Sequence, residues 1–206
     1  MQTITLKEIE KKDYPKAIGF AIRGMHFDMY LDSPLLLGLY GTYFWYDELN
    51  HATQVIAAYQ GDTLVGVLLA DMEGQPKCCR SWVKRVFVGI FNFLQNLLYK
   101  GGVDIYDGAN ARMYQAFRSR HTPDGQLIFL AADPDAKIPG VGTALLQELE
   151  RREPGKRIYL YTDDACTYPF YEHRGFCREA EEDIVMDLQG RTVPLKCMLY
   201  SKVTGS

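Results

Sequence analysis

The 206-residue chain predicts a mixed α/β fold, a central and mostly antiparallel sheet with one parallel crossover and helices on its flanks. Three observations carry that expectation. TQVIAAY and TLVGVLLADM are apolar runs on either side of the turn signal Gln60-Gly61-Asp62, which makes them an antiparallel hairpin. The strand-like run GQLIFLAA, closed by Pro134, hands over through Gly140 and Gly142 to a helix pattern, which is the first half of a crossover. Two further strands, EDIVMDL and PLKCMLYSKV, close the chain around Gln189-Gly190-Arg191.

The remaining elements follow in order. TITLKEI is the first strand. Asp13 is placed to cap a helix running toward His26, with Pro15 tolerated in its first turn. Ser33-Pro34 opens a second, very apolar helix toward Asn50. A helical insert is expected over residues 75–120. Within it, Val83, Val86, Phe87, Ile90, Phe91, Leu94 and Leu98 recur at three and four, one face of an amphipathic helix over 81–99. Lys84, Arg85, Asn92, Gln95 and Asn96 interrupt the run, so it is too polar to span a bilayer. Its polar positions also lack the dense basic face of a membrane-surface helix. The apolar face is therefore expected to be covered by the same domain or by a second copy of the chain, a homodimer. A helix over 142–152, the strand RIYLYTD, and a short helix from near Ala165, stopped at Gly175 with Phe176 folding back, complete the order. Neither a repeat nor a linker interrupts it, so residues 1–206 are expected to form a single domain.

Composition narrows the function. A net charge of −3 gives no reason to expect a nucleic-acid partner. The opening MQTITLKEIEKKDYPK has neither signal nor transit character. The five cysteines are odd in number and lack CxxC spacing, so they read as free thiols in a reducing cytoplasm. The histidines lie far apart, and no metal site is expected.

Glycines between a strand and a helix put unpaired N–H groups and the positive end of a helix dipole in one small space, a site for phosphate. A dinucleotide-binding loop needs GxGxxG or GxGxxA, and here the third position is Leu145. Asp163 sits where a ribose-binding acid would follow, but the loop comes late and the further βα units are missing. A P-loop is excluded because no Gly-Lys-Ser/Thr follows.

Lys137-Ile138-Pro139-Gly140-Val141-Gly142 resembles the Q/R-x-x-G-x-G/A signature of the GNAT family of N-acetyltransferases, and Phe170-Tyr171-Glu172-His173-Arg174-Gly175-Phe176 resembles that family's FYExxGF ending, one strand later. The likeness covers nearly the whole chain except the longer insert. Lys137 departs from Gln or Arg, keeping the charge but not the planar fork. Pro139 removes one donor, leaving Ile138, Gly140, Val141, Gly142 and Thr143 to supply amides.

The resemblance implies a GNAT-like acyl-CoA fold and transfer of an acetyl group from acetyl-CoA, as cosubstrate, to a primary amine of a small molecule or peptide. It implies that Lys137, Ile138, Gly140, Val141, Gly142 and Thr143 bind the pyrophosphate. The acyl and pantetheine groups would meet the strand before the loop, around Leu130 and Ala132. Tyr171 would return a proton to the leaving thiolate; a phenol of pKa about 10 suits that task. Tyr168, expected one turn earlier on the same face, is its competitor. Asp133, Asp71, Glu73 and Glu48 are candidate bases without distinguishing features. Tyr40, Tyr43, Phe44, Trp45 and Tyr46 are either an aromatic wall for a cationic amine or ordinary core. Two rival readings remain: a non-catalytic acyl-CoA-binding module, and a Rossmann-type nucleotide-binding oxidoreductase.

Overall fold

The computed structural model describes residues 4–29, 31, 33–79, 81–98, 103–136, 138–188 and 191–205. The strands are β1 (Ile4–Lys7), β2 (Gln54–Gln60), β3 (Thr63–Met72), β4 (Gly125–Ala132), β5 (Arg157–Asp163), β6 (Cys177–Leu188) and β7 (Arg191–Val203). The helices are α1 (Tyr14–Gly24), α2 (Pro34–His51), α3 (Trp82–Leu98), α4 (Val103–Arg118), α5 (Val141–Arg152) and α6 (Pro169–Glu172). The strands form one seven-stranded sheet in the order β1-β2-β3-β4-β5-β7-β6. All neighbours are antiparallel except β4 and β5, whose parallel pairing is confined to Gly125↔Ile158 and Gln126↔Tyr159.

The sheet is covered on both faces, which is why β3 reads as a continuous apolar run. On one face lies α5, with Val141, Leu145, Leu146 and Leu149 buried against Ile56, Leu68, Leu127, Ile158 and Leu160. Gly66 in β3 permits this approach, since a Cβ there would lie 2.6 Å from Val141 Cγ1. On the other face, α1 and α2 bury Phe20, Trp45 and Leu49 over Leu69 and Phe129. A third cluster packs Ala109, Met113 and Phe117 of α4 on Ile184, Leu195 and Leu199 of the closing strands.

Several local expectations need correcting. Asp13 stands at the N-cap position of α1 but makes no cap hydrogen bond; its carboxylate instead accepts from the Tyr59 hydroxyl at 2.8 Å, tying α1 to the sheet. The insert contributes two helices, α3 and α4, and α3 has apolar residues on both sides. Phe91 stacks on Tyr43 with centroids 4.2 Å apart, and Phe87 meets Tyr46 edge-on. Val83, Val86 and Ile90 lie on a side of α3 that is exposed within one copy of the chain, with Trp82 (73% exposed) and Phe93 (68%), so the same domain does not supply their expected cover. The apolar run spans more than one stripe, and α2 can cover only one. The side chains of Leu94 and Leu98, and the turn residues Gln189 and Gly190, lie outside the described set. Among the described residues no helix is long and apolar enough to cross a membrane.

Candidate active site

Past Gln126, β4 and β5 stop pairing and diverge. The gap opens into a cleft of about 600 Å³. One wall is the freed edge of β4. Here Leu69↔Phe129 and Ala70↔Leu127 are successive pairs with β3, so Ile128 is an extra residue, a bulge that bends the strand where the cleft begins. Leu130 and Ala132, expected on this wall, both line it.

The glycine loop forms the cleft's second side, with Ile138, Gly140, Val141, Gly142 and Thr143 all lining it. Lys137 lies outside the described residues. Gly140 holds the N-cap position of α5 with φ of +86°, a backbone that L side chains rarely adopt. The first bond within α5 runs from the Ala144 N–H to the Gly140 carbonyl at 2.9 Å. The N–H groups of Val141, Gly142 and Thr143 precede that bond and have no backbone partner among the described residues. Ile138 is a correction. Its N–H donates to the Ala136 carbonyl at 2.7 Å, so it closes a turn and is not a free amide.

The third side comes from the segment after β5. Only Pro169–Glu172 is helical, so the helix does not begin near Ala165. Tyr168 and Tyr171 consequently diverge. Tyr168 lies under the Arg178 guanidinium at 5.5 Å, whereas Tyr171 lines the cleft and packs edge-on against Phe176. Gly175 has φ of +80°, and the Phe176 N–H folds back to the Tyr171 carbonyl at 3.1 Å, the expected helix stop. The Tyr171 hydroxyl has no hydrogen-bond partner among the described residues. Burial, and secondarily the neighbouring Cys166, push its phenol well above the usual tyrosine range. The group is therefore protonated at neutral pH.

Residues from α1 and the segment after it, among them Arg23, Met25 and His26, complete the lining. His26 carries φ of +52° without being glycine, a rare backbone at a cleft wall. No sequence signal marks it. Cys166 also faces the cleft, but burial and the nearby Asp163 carboxylate push its thiol up to about 12. A neutral thiol of that kind is not poised as a nucleophile.

None of the four carboxylates considered as a base lines the cleft. Asp133 is paired with Lys16 at 2.9 Å and Arg23 at 3.4 Å. Asp71 is paired with Lys77 at 2.6 Å, and it shares a separate hollow with Glu73. Glu48 belongs to α2, where burial and the adjacent Asp47 push its carboxyl up to about 8. The aromatic wall is also absent from the cleft. Trp45 is core, Phe44 packs on Phe129, and Tyr40 on Phe27. Asp163 is engaged within the chain, with Oδ2 accepting from the Tyr106 hydroxyl at 3.4 Å. Its Oδ1 accepts the N–H groups of Ala165 and Cys166 at 3.1 Å, closing the turn after β5. With a mostly antiparallel sheet around it, the Rossmann reading falls. Among the described residues no cluster of His, Cys, Asp and Glu could hold a metal ion.

No protein-family model and no curated protein matches this chain. Solved structures match it in shape. Histone acetyltransferase HPA2 and related acetyltransferase of Corynebacterium glutamicum aligns with a TM-score of 0.57 at 18% identity, covering 96% of this chain and 95% of that one. Ribosomal-protein-alanine N-acetyltransferase of Brucella melitensis gives 0.53 at 14% identity, with 97% and 99% covered. PaiA N-acetyltransferase of Thermoplasma acidophilum, solved in complex with coenzyme A, gives 0.52 at 13%, with 98% and 99% covered. At such identities the likeness is one of fold: the chain has the fold of the GNAT acetyltransferases.

Proposed function

We propose that the protein is an N-acetyltransferase, one catalytic domain that moves the acetyl group of acetyl-CoA to a primary amine of a small molecule or peptide. The observation that carries this reading is the cleft itself. Between the diverging strands β4 and β5, the first turn of α5 and Tyr171, whose amides and hydroxyl have no partner among the described residues, line one shared space. Coenzyme A presents a pyrophosphate and a thioester sulfur joined by pantetheine, and these two features match those two ends.

In the reaction the pyrophosphate rests on the amides of Gly140, Val141, Gly142 and Thr143, where no helix partner competes and the dipole favours an anion. Pantetheine lies along the freed edge of β4 near Leu130 and Ala132, using backbone groups that β5 leaves unpaired. An alkylammonium of pKa about 10.4 must lose its proton to water before attack. Its nitrogen then adds to the acetyl carbon, forming the C–N bond. Collapse breaks the C–S bond, Tyr171 gives its proton to the departing sulfur, and the surplus proton on the new amide nitrogen passes through water to restore the Tyr171 phenol. The paired state of Asp133 and the neutral thiol of Cys166 support direct attack without a dedicated carboxylate base or an acetyl-cysteine intermediate.

The test is release of free coenzyme A thiol from acetyl-CoA over a panel of primary amines, small molecules and peptide N-termini alike. Amine-dependent thiol release supports the reading. Tight acetyl-CoA binding with no turnover on any amine would favour a binding module instead.

A further inference from the structure

We propose that Arg174 is the side-chain anchor for a phosphate group of the cofactor, completing the cradle that the backbone begins. The inference rests on the acetyl-CoA reading above. Arg174 follows α6 and lines the cleft. Its Nη2 and Nε donate to the hydroxyl oxygen of Thr143 at 2.7 and 3.1 Å. Thr143 belongs to the first turn of α5, so the guanidinium is held beside that turn. Its Cζ lies 5.3 Å from the centre of the Phe170 ring. That same ring is what a Cβ on Gly142 would meet, at 3.3 Å. Phe170 thus forms a floor shared by the glycine loop and the arginine.

The electrostatics point the same way. A cation is favoured at the C-terminal end of a helix and disfavoured at the positive N-terminal end, yet Arg174 is fixed at the latter. Arg23, Arg112, Arg120, Arg151, Arg152 and Arg178 each have a carboxylate partner, and Arg174 is the arginine at the glycine loop. Arg174 has none among the described residues; apart from Thr143 it reaches only the His173 carbonyl, at 3.4 Å. Two positive features held together without a counter-charge form a site that an anion relieves. The planar fork of arginine suits a phosphate oxygen pair in a way a lysine does not. Coenzyme A offers two sources of this chemistry, the pyrophosphate and the ribose 3′-phosphate. In either case Arg174 would discriminate phosphate-bearing carriers from bare pantetheine thioesters.

Calorimetric titration tests this without knowledge of the acceptor. Wild type and Arg174→Met, which keeps the apolar stem on Phe170, are titrated with coenzyme A, dephospho-coenzyme A and pantetheine. Melting curves verify that the variant is folded, and Arg174→Lys provides a second variant. Loss of a charged hydrogen bond should weaken coenzyme A binding by about 10- to 100-fold in Arg174→Met, with Arg174→Lys between the two and pantetheine unaffected. If dephospho-coenzyme A is weakened equally, the group bound is the pyrophosphate; if only coenzyme A is weakened, it is the 3′-phosphate. Either result supports the proposal. Unchanged coenzyme A affinity in a folded Arg174→Met overturns the role of Arg174 while leaving the acetyltransferase reading intact. Failure of wild type to bind coenzyme A at all overturns both.

Discussion

Asp133 and Lys16 form an ion pair 2.9 Å long at the C-terminal end of β4, with the carboxylate side chain only 8% exposed. Burial alone would raise the Asp133 carboxyl, but the Lys16 hydrogen bond, the Asp135 amide and the charges of Lys16 and Arg23 outweigh it, and the net shift is downward. This acid fastens α1 to the sheet. A carboxyl lowered on folding stabilises above its unfolded pKa, and that stability is lost as pH falls through the folded value. Asp133→Asn should therefore cost about 1 kcal/mol at neutral pH, a modest figure because the cationic partners are solvated. In melting curves across pH, the gap to wild type should close below the usual carboxylate range. A gap that persists unchanged in strong acid would contradict the pairing.

Glu48 behaves in the opposite sense. Its carboxyl is pushed up to about 8 by burial and by Asp47, against about 4.3 for a free glutamate. Between those values the unfolded chain holds fewer protons at this site, so folding stability declines as pH rises through the window. Glu48→Gln should raise the melting temperature near pH 8 and change it little near pH 4. An equal effect at both pH values would show that Glu48 titrates normally.

Tyr171→Phe keeps the ring against Phe176 and removes the hydroxyl alone. Once an acceptor is found, acetyl-CoA affinity should stay the same while kcat falls by about 10²- to 10⁴-fold. Tyr168→Phe should cost much less, since that ring lies against Arg178. Equal losses in the two variants, measured with chemistry rate-limiting, would remove Tyr171 as the acid.

Gly142→Val should abolish tight coenzyme A binding. Its Cβ would meet Phe170 Cζ at 3.3 Å, and its branches would occupy the space above the amides. Calorimetry showing wild-type affinity would move the phosphate site elsewhere.

Much of this site could be read from residue order. Glycine and proline punctuate a chain because they alter backbone freedom locally, so the hairpin, the crossover and the loop of Gly140 and Gly142 are visible without long-range information. Leu130, Ala132, Val141, Thr143 and Tyr171 follow from their places in that frame, and all reach the cleft. What escaped depends on contacts that no local pattern encodes. The Ile138 amide is used up in a turn. The aromatic residues of α2 read equally as a binding wall or as core, and only their contacts with Phe27, Phe91 and Phe129 show how they pack. His26 and Arg174 are single polar residues whose place in the cleft lining appears only when distant segments meet.

The central claim is that acetyl-CoA lies between β4 and β5 with its two ends on α5 and Tyr171. A structure of the chain with acetyl-CoA bound tests it most directly. Pyrophosphate oxygens are expected within hydrogen-bond distance of the Val141, Gly142 and Thr143 amides, and the thioester sulfur within reach of the Tyr171 hydroxyl. Coenzyme A bound outside this cleft, or in it with its sulfur far from Tyr171, would contradict it.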